Sequence, residues 1–371
     1  MPMLMIIIDG LTDDPQEILG GKTPLEAAQC TSLDYMRQSG AHGFFTTVPE
    51  GFSAESLTCI STLLGVPPQS LPKGRAYAEA LSCGVTAGEN DAVCRCSLVT
   101  IDESGRLLSS CADGIENKAQ LCASFAAGFS APSISFVPMS SYKNLLLIKG
   151  GARAVQGTIT FAPHENEGEP FEALLPRGGG EICEALCAVA HTAVAEPKDG
   201  VTLAMLPWGI TKRHELPQFK ALHGVEGAAV CATEVMRGIA LGMGLELTTP
   251  NGTTADSDTD LSAKAQAALR LLKNHEFVLV HINGADELSH RRDAHGKASF
   301  LREIDTKLLA PLLKKAPQGT MFLVCSDHSS LCATGGHRGE PQPFVLYGGS
   351  HSGGIGEYCG TDAVELLRGK L

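Results

Sequence analysis

The sequence predicts an α/β fold in which a mostly parallel β-sheet lies between helices and a smaller α+β domain is inserted. Three runs of consecutive apolar residues, at Met3–Ile8, Phe277–Ile282 and Met321–Cys325, are typical of strands that are buried on both faces. Helical patterns alternate with these strands near both ends of the chain, which is the pattern of a parallel sheet. Residues 75–215 differ in character and interrupt this alternation.

Composition and charge restrict the function. The chain has 371 residues, of which 43% are hydrophobic and 19% charged, and this predicts a globular protein of two domains. A net charge of −12 argues against nucleic acid or an anionic membrane as partner. The 13 cysteines include no CxxC pair and indicate reduced thiols. The N-terminus lacks the features of a secretion signal and no apolar run reaches the length of a membrane span, so we expect a cytoplasmic protein.

The elements before the insertion are indicated by their end signals. Asp9 and Gly10 end the first strand, and Thr23 followed by Pro24 is a typical helix start. A helix at 32–39 and a strand at 43–48 are expected to follow. Residues 57–65 have helical spacing, which puts Ser56 in the first turn of a helix, where the backbone N–H groups favour negative charge. For a serine considered alone, helix capping by Ser53 or Ser56 is the simpler explanation.

Prolines at 67, 68 and 72 mark the start of the insertion. We therefore expect a metal-binding core domain at 1–74 and 216–371 and an inserted substrate-binding domain at 75–215. Inside the insertion we predict strands at 92–101 and 145–148 and a helix at 181–194. After it, we predict the following elements besides the two apolar strands: helices at 227–243, 258–273, 298–313 and 361–367, and a strand at 345–347.

Acidic and histidine side chains follow each of the three apolar strands. They are Asp9 after the first strand, Asp286 and His290 after the second, and Asp327, His328 and His337 after the third. The carboxyl ends of parallel strands meet at one edge of a sheet, so these side chains are expected to lie close together. Asp286 and His290 are four residues apart, a spacing that puts both on one side of a helical turn. His223, His275, His281 and His295 have no such setting and are interpreted as structural.

Three carboxylates and three imidazoles are too many ligands for one tetrahedral ion and suit two ions. Mixed nitrogen and oxygen ligands fit Zn²⁺ or Mn²⁺ better than Ca²⁺, and Mg²⁺ is a further option. The oxygen of Ser56 could serve as a bridging ligand. Two divalent ions would make the pocket slightly positive, as an oxyanion substrate requires, and a serine beside two metals is typical of phosphoryl transfer.

The motifs that contain these residues resemble a known family over nearly the whole chain. They are IDG at 8–10, GKTPLEAA at 21–28, the helix start at Ser56, DExxH at 286–290, SDHS at 326–329 and HxxxPxP at 337–343. This pattern is similar to that of the archaeal-type cofactor-independent (2,3-bisphosphoglycerate-independent) phosphoglycerate mutases of the alkaline phosphatase superfamily. The resemblance implies an alkaline-phosphatase-like sheet and an inserted domain that closes over it and holds the substrate.

The same resemblance implies two metal sites and a nucleophile. One ion would be held by Asp9, Ser56, Asp327 and His328, and the other by Asp286, His290 and His337. Ser56 would be the nucleophile that becomes phosphoserine. All these positions carry the residue type of the family.

The substrate side departs from the family. The family's Gly-Ser-Asp around the nucleophile is here Glu55-Ser56-Leu57, and an arginine is absent from the ADGI segment at 112–115. The family's Tyr-Arg-His is here YKN at 142–144, and its Arg-Gly pair is Trp208-Gly209. The substrate-binding residues that we predict are Arg95, Lys143, Lys212 and Arg237, the last as a basic residue that assists the nucleophile. A subgroup that shares the Trp208 feature and the segment from 258 to Lys264 has been proposed to contain homoserine kinases.

The leading hypothesis is an enzyme of glycolysis that interconverts 2- and 3-phosphoglycerate through phosphoserine. A phosphatase or a kinase acting on a small alcohol such as homoserine would use the same two-metal site with another acceptor. A third hypothesis is a non-catalytic relative that binds a metal or a metabolite. The expected partner is a small phosphorylated metabolite, and the sequence leaves homo-oligomer formation open.

Overall fold

The computed structural model describes residues 1–195 and 198–371. These residues form two compact units, one composed of Met1–Pro72 and Leu216–Leu371, the other of Lys73–Glu215. The first boundary lies two residues before the predicted one, and the second coincides with it. The first unit is called the core unit below, and the second is called the insert.

The strands, numbered in chain order, are β1 (Met3–Ile8), β2 (Ala41–Thr46), β3 (Ala92–Ile101), β4 (Leu107–Ser109), β5 (Ile134–Pro138), β6 (Lys143–Ile148), β7 (Thr202–Lys212), β8 (Gly227–Val230), β9 (Glu246–Thr248), β10 (Phe277–Ile282), β11 (Met321–Cys325), β12 (Ser329–Leu331), β13 (Gly336–Arg338), β14 (Gln342–Tyr347) and β15 (Gly353–Cys359). The α-helices are α1 (Pro24–Ala28), α2 (Thr31–Ser39), α3 (Ser56–Leu63), α4 (Ala76–Ser82), α5 (Lys118–Gly128), α6 (Glu181–His191), α7 (Phe219–His223), α8 (Glu234–Gly242), α9 (Leu261–Leu271), α10 (Gly284–His290), α11 (Ala294–Ile304), α12 (Ala310–Lys315) and α13 (Ala363–Leu367). A π-helical turn, Asp305–Leu309, joins α11 to α12.

The core unit is built on one mixed sheet with the strand order β15-β2-β14-β11-β1-β10-β8-β9. Its neighbouring strands are parallel except where β14 pairs with β11 and with β2. The central strand β1 is buried along its whole length and lies between β10 and β11. The α/β fold class with a mostly parallel sheet is confirmed. The three apolar runs form strands with the predicted bounds, because a strand with helices on both faces must be apolar at every position.

The helices cover both faces of this sheet. One face packs Leu4, Ile6 and Ile8 of β1 into a single hydrophobic core with side chains of α2, α9, α11 and α12. Successive strand residues point to opposite faces, so Met5 and Ile7 face the other layer, where α13 contacts β11 and α8 contacts both β8 and α3. No helix in the part of the chain that the structure describes is both long and apolar enough to span a lipid bilayer.

The prediction of one helix at 227–243 is wrong. Gly227–Val230 is strand β8, and the helix begins only at Glu234, where the Thr233 side chain accepts a hydrogen bond from Met236 N–H. A Cβ atom on Gly227 would lie 2.8 Å from the Leu245 side chain and 2.9 Å from that of Phe277, so only glycine permits this close packing. The Gly-Ala-Ala-Val segment has small side chains that suit either structure, and tertiary packing selects the strand.

Other boundaries shift by a few residues. The helix predicted at 258–273 begins at Leu261, because the cap is Asp260, which accepts a hydrogen bond of 2.9 Å from Ala263 N–H. The helix predicted at 298–313 begins at Ala294, with Asp293 as its cap. The strand predicted at 43–48 occupies Ala41–Thr46.

The insert has its own antiparallel sheet, in which β3 pairs with β4, β6 and β7, and β6 pairs with β5. One face of β3 packs Cys94, Cys96 and Leu98 against α5 and α6. Arg95 and Ser97 alternate with these residues and therefore point to the opposite face.

Candidate metal centre

The predicted ligands after three strands of the core unit meet at one edge of its sheet. β1 lies in parallel register between β10 and β11, with Ile8 opposite Ile282 and Ile7 opposite Cys325. Asp9 therefore emerges beside the start of α10 on one side and beside Asp327 on the other. Its backbone N–H donates to the Ile282 carbonyl, which continues the sheet pairing up to the site.

Asp9, Asp327 and His328 form the first part of the site. Each has no measurable exposure, and their candidate ligand atoms lie within 4.8 Å of one another. His328 Nε2 is 3.4 Å from Asp327 Oδ2 and 3.8 Å from Asp9 Oδ1. Both side-chain oxygens of Asp327 and Oδ1 of Asp9 are buried without a hydrogen-bond partner. Buried carboxylate oxygens without partners are costly, and a bound cation is the usual explanation.

Ser56 is the first residue of α3 and lies against this group. Its hydroxyl donates to Asp9 Oδ2 at 3.3 Å and is 3.3 Å from His328 Nε2. The preceding residue, Glu55, is extended at the helix N-cap position, so Ser56 belongs to the first turn of α3, where backbone N–H groups have no partner within the helix. This position favours negative charge on the oxygen, as a nucleophile requires.

Asp286 is the centre of the second part of the site. His290 Nε2 lies 3.2 Å from its Oδ2 and His337 Nε2 lies 3.1 Å from its Oδ1. The Nδ1 atoms of these histidines face backbone carbonyl oxygens, that of Gly335 at 2.7 Å and that of Ala54 at 3.1 Å. Because a carbonyl oxygen only accepts hydrogen bonds, Nδ1 carries the proton in each ring. This leaves Nε2 available to a metal ion, the usual arrangement for a ligand histidine.

The grouping of the ligands differs in one respect from the family pattern. The ligand atoms of Asp286, His328 and His337 also lie within 4.8 Å of one another, and the His328 and His337 rings stack with centroids 3.9 Å apart. His328 is therefore within reach of both parts of the site, whereas His290 approaches from the other oxygen of Asp286. The assignment of ligands to one ion or the other stays a prediction.

The electrostatics of the site favour cations. Burial raises the pKa of Asp9 well above its ordinary value, and the charges of Asp286 and Asp327 raise it further. Burial also acts to raise the pKa of Asp286, but the hydrogen bonds from His290 and His337 outweigh it and lower that pKa well below the ordinary value. The Asp286 carboxylate raises the pKa of His290 to about 9. A proton on His290 thus balances the Asp286 charge, and a divalent ion would take its place.

Several polar residues of the site were not predicted. The Ser330 hydroxyl donates to Asp286 Oδ1 at 2.6 Å and lies 3.4 Å from His328 Nδ1. His281 was interpreted as structural, but its Nε2 is 3.7 Å from Asp9 Oδ2. The alternation of β10 could have shown that His281 faces away from the core that contains Val280 and Ile282.

Two buried lysines were also missed. Lys264 Nζ donates to the His281 carbonyl at 2.9 Å, and burial lowers the pKa of this lysine to about 8. Lys297 Nζ forms a fully buried ion pair with Asp13 Oδ2 at 3.0 Å and donates to the Ser330 carbonyl at 2.7 Å. The helical periodicity of α9 and α11 puts both lysines on core-facing positions, which is the sequence signal that was available.

The predicted substrate residues are distributed over both units. Arg95 on β3 donates through Nε to Glu79 Oε2 at 2.9 Å, and its guanidinium lies 3.8 Å above the Trp208 ring. Lys143 begins β6 opposite Ser97, on the same face of the insert's sheet as Arg95. Lys212 ends β7 opposite Ala92, a residue of the other face, so the structure does not bring it to Arg95. Arg237 belongs to the core unit, on α8, which packs against α3.

Comparisons with known proteins agree with this geometry. The model of the Metalloenzyme superfamily matches residues 1–369. The chain is 32% identical, over 94% of its length and 90% of the relative, to the 2,3-bisphosphoglycerate-independent phosphoglycerate mutase of Methanosarcina barkeri. Among solved structures, it is similar to the PH0037 protein of Pyrococcus horikoshii, with a TM-score of 0.78, 23% identity and coverage of 100% and 97% of the two chains.

The fold is also similar to that of the cofactor-independent phosphoglycerate mutase of Thermoplasma acidophilum. That likeness has a TM-score of 0.62 at 20% identity and covers 100% of this chain and 99% of the other. At this level of identity the two solved structures support the fold alone.

Proposed function

Because the chain belongs to the Metalloenzyme superfamily and to its family of 2,3-bisphosphoglycerate-independent phosphoglycerate mutases, we propose that it interconverts 2- and 3-phosphoglycerate through phosphoserine at Ser56. The observation that carries this proposal is the position of the Ser56 hydroxyl at the start of α3, 3.3 Å from a carboxylate whose other oxygen is buried without a partner. A serine in this position has both a means of activation and an adjacent cation site.

The proposed ligands fit two divalent ions. Buried carboxylate oxygens without partners and histidine nitrogens are the donors that Mn²⁺ and Zn²⁺ take, and Mg²⁺ accepts the oxygens. The residues proposed to hold the ions are Asp9, Ser56, Asp327 and His328 for one, and Asp286, His290 and His337 for the other. When bound, the ions supply positive charge that lowers the pKa of the Ser56 hydroxyl and balances the phosphate oxygens.

The chain's own residues then perform the transfer. Ser56 gives up its hydroxyl proton and its oxygen forms a bond to phosphorus, while the bond from phosphorus to the substrate oxygen breaks and that released oxygen takes up one proton to become a hydroxyl. Reversal from the other hydroxyl of the bound glycerate completes the isomerisation. The Ser56 proton points to Asp9 Oδ2, and the dipole at the start of α3 favours negative charge on the oxygen that loses it.

Recognition of the substrate is proposed to involve Arg95 of the insert. Glu79 binds its Nε, and Trp208 covers one face of the guanidinium, so the planar group is held in one orientation. A fixed guanidinium edge is the usual partner of a carboxylate. Lys143, on the same face of the sheet, is a second cation for this role.

A second candidate function follows from the same cluster. The Arg95, Glu79 and Trp208 group carries no net charge, and Trp208-Gly209 stands where the mutases usually have Arg-Gly. A substrate with both a phosphate and a carboxylate would meet fewer cations here than in such a mutase. This observation favours a phosphatase or a kinase of a small alcohol such as homoserine on the same two-metal centre.

One experiment separates these functions. The enzyme is supplied with Mn²⁺ and 3-phosphoglycerate, and 2-phosphoglycerate and free phosphate are measured together, with a parallel reaction that contains ATP and homoserine. We expect 2-phosphoglycerate without stoichiometric free phosphate. Free phosphate alone, or phosphohomoserine, would support the second candidate.

The role of Ser56 is tested with the variant Ser56→Ala. We expect activity to fall by at least a hundredfold, because the nucleophile is lost, and the mass increase of a trapped phosphoenzyme to disappear. Ser53→Ala, in the exposed turn before α3, is the matched control and should keep full activity. Full mutase activity of Ser56→Ala would refute the phosphoserine mechanism, and a wild type that binds metal but takes no phosphate on Ser56 would support the non-catalytic relative.

A further inference from the structure

His281 is a buried histidine whose hydrogen-bonding groups have no partners. Its side chain is 1% exposed, and neither Nδ1 nor Nε2 forms a hydrogen bond. A buried polar group without partners is destabilising, so an imidazole in this state calls for an explanation. An apolar side chain of similar size would fill the same volume without this cost.

The neighbours of His281 indicate its role. Its Nε2 lies 3.7 Å from Oδ2 of Asp9, the oxygen to which Ser56 also donates. Oδ1 of the same carboxylate and both oxygens of Asp327 lack partners as well. The unpartnered polar atoms of His281 thus belong to one cluster with those of the proposed metal ligands.

The backbone of His281 is held firmly in place. Its residue pairs with Ile7 in the parallel ladder of β10 and β1, two residues before Asp9. Its carbonyl oxygen accepts a hydrogen bond of 2.9 Å from the buried Lys264. The imidazole is therefore attached to a rigid strand, whereas Asp9 lies just past the end of β1 and can turn about its side-chain bonds.

We infer that His281 is a positioning residue that donates a hydrogen bond from Nε2 to Oδ2 of Asp9 and so directs Oδ1 of Asp9 toward the cation. The gap of 3.7 Å is about 0.8 Å longer than an N–H···O hydrogen bond, a distance that a small rotation of the carboxylate closes. A histidine that orients a ligand carboxylate is part of the shell that fixes a metal site. This inference rests on the metal centre proposed above.

Mn²⁺ titration of the purified protein, followed by the electron paramagnetic resonance of free Mn²⁺, tests the inference. His281→Met removes both nitrogens at similar volume, and we expect it to weaken one of the two Mn²⁺ sites by about 10–100-fold. His281→Gln puts an amide N–H near the position of Nε2 and should restore most of the affinity. His281→Asn carries the same amide on a side chain that is one bond shorter, so its N–H does not reach the position of Nε2 and it should not restore the affinity.

His275→Gln is the matched control, because His275 precedes β10 at the opposite end of the strand, where it pairs with Glu246. It should bind Mn²⁺ as the wild type does. If His281→Met keeps the wild-type affinity, or if Gln and Asn behave alike, the inference is wrong while the proposed function stands. If the wild type binds no Mn²⁺, the proposed function and the inference fail together. If His281→Met does not fold, the Mn²⁺ affinities of His281→Gln and His281→Asn still test the inference.

Discussion

Two buried lysines of the core unit show how differently the same residue type can be accommodated. Lys297 Nζ is surrounded by three acceptors, the Asp13 carboxylate and the carbonyl oxygens of Thr12 and Ser330. The described contacts of Lys264 Nζ include one acceptor, the carbonyl of His281, and no carboxylate. Burial therefore lowers the pKa of Lys264 to about 8, because its effect exceeds the opposing one of the neighbouring Cys231. Lys264 destabilises the fold whenever it is charged.

Lys264 should make stability depend on pH in alkaline solution. Its pKa is about 8 in the folded chain and about 10.4 in the unfolded chain, so between these values the unfolded chain binds more protons. The free energy of unfolding should then rise with pH, by at most roughly 3 kcal/mol between pH 7 and pH 10.5. Urea unfolding of the wild type and of Lys264→Met, measured over this range in EDTA, gives the difference. Lys273→Met, at an exposed position, is the control. A difference that stays constant with pH would contradict the prediction.

At the scale of elements, the sequence predicts best where one physical signal dominates. β1, β10 and β11 match their predicted bounds because a run of apolar residues in a central strand has no competing interpretation. The prediction fails at Gly227–Val230, where small residues suit either a helix or a strand. There the close packing of Gly227 against Phe277 selects the strand. The meeting of the candidate ligands could be predicted because their side chains follow strand ends. The nearness of His281 to Asp9 could not, because Asp9 follows another strand and the pairing register is not visible in one sequence.

A buried ion pair between Lys297 and Asp13 contacts the hairpin of β12 and β13. This hairpin contains Ser330, which binds Asp286, and His337. Lys297 on α11 connects β12 to the loop after β1, because its Nζ donates hydrogen bonds both to the Ser330 carbonyl and to the Asp13 carboxylate. The Asp13 carboxylate also accepts a hydrogen bond from Cys332 N–H. We expect the pair to hold the hairpin, which carries the proposed ligand His337, in place relative to Asp9.

Lys297→Met should destabilise the protein by about 3–5 kcal/mol, because it leaves the buried Asp13 carboxylate without its cation. Adding Asp13→Leu to this variant should recover part of the loss, since the unpaired charge is then removed. Lys307→Met, which breaks the exposed pair with Glu303, is the control and should cost less than about 1 kcal/mol. Urea unfolding in EDTA measures all three variants. If Lys297→Met costs no more than the control, the pair does not hold the hairpin.

At the scale of the whole molecule, the two units differ in how the chain builds them. The core unit combines residues from both ends of the chain, and its sheet pairs β1 with β10 and β11, which lie more than 260 residues away in sequence. The insert is one continuous segment with its own antiparallel sheet and core. Every proposed metal ligand belongs to the core unit. Metal binding should therefore stabilise the core unit directly, through the relief of repulsion among Asp9, Asp286 and Asp327.

This division predicts where metal removal acts. At a free Mn²⁺ concentration of about 100 times Kd, a single site that binds only the folded state adds about 2.7 kcal/mol to its stability. Hydrogen exchange measured by mass spectrometry with Mn²⁺ and with EDTA should show slower exchange in peptides that cover the ends of β1, β10 and β11 and the start of α3 when metal is present. Peptides from β3, β6 and β7 of the insert should exchange alike in both conditions, because no proposed ligand lies there. Equal protection of both units by Mn²⁺ would place metal ligands in the insert and overturn the proposed ligand set. Exchange that Mn²⁺ leaves unchanged in both units would show that the carboxylates of the core unit hold no ion.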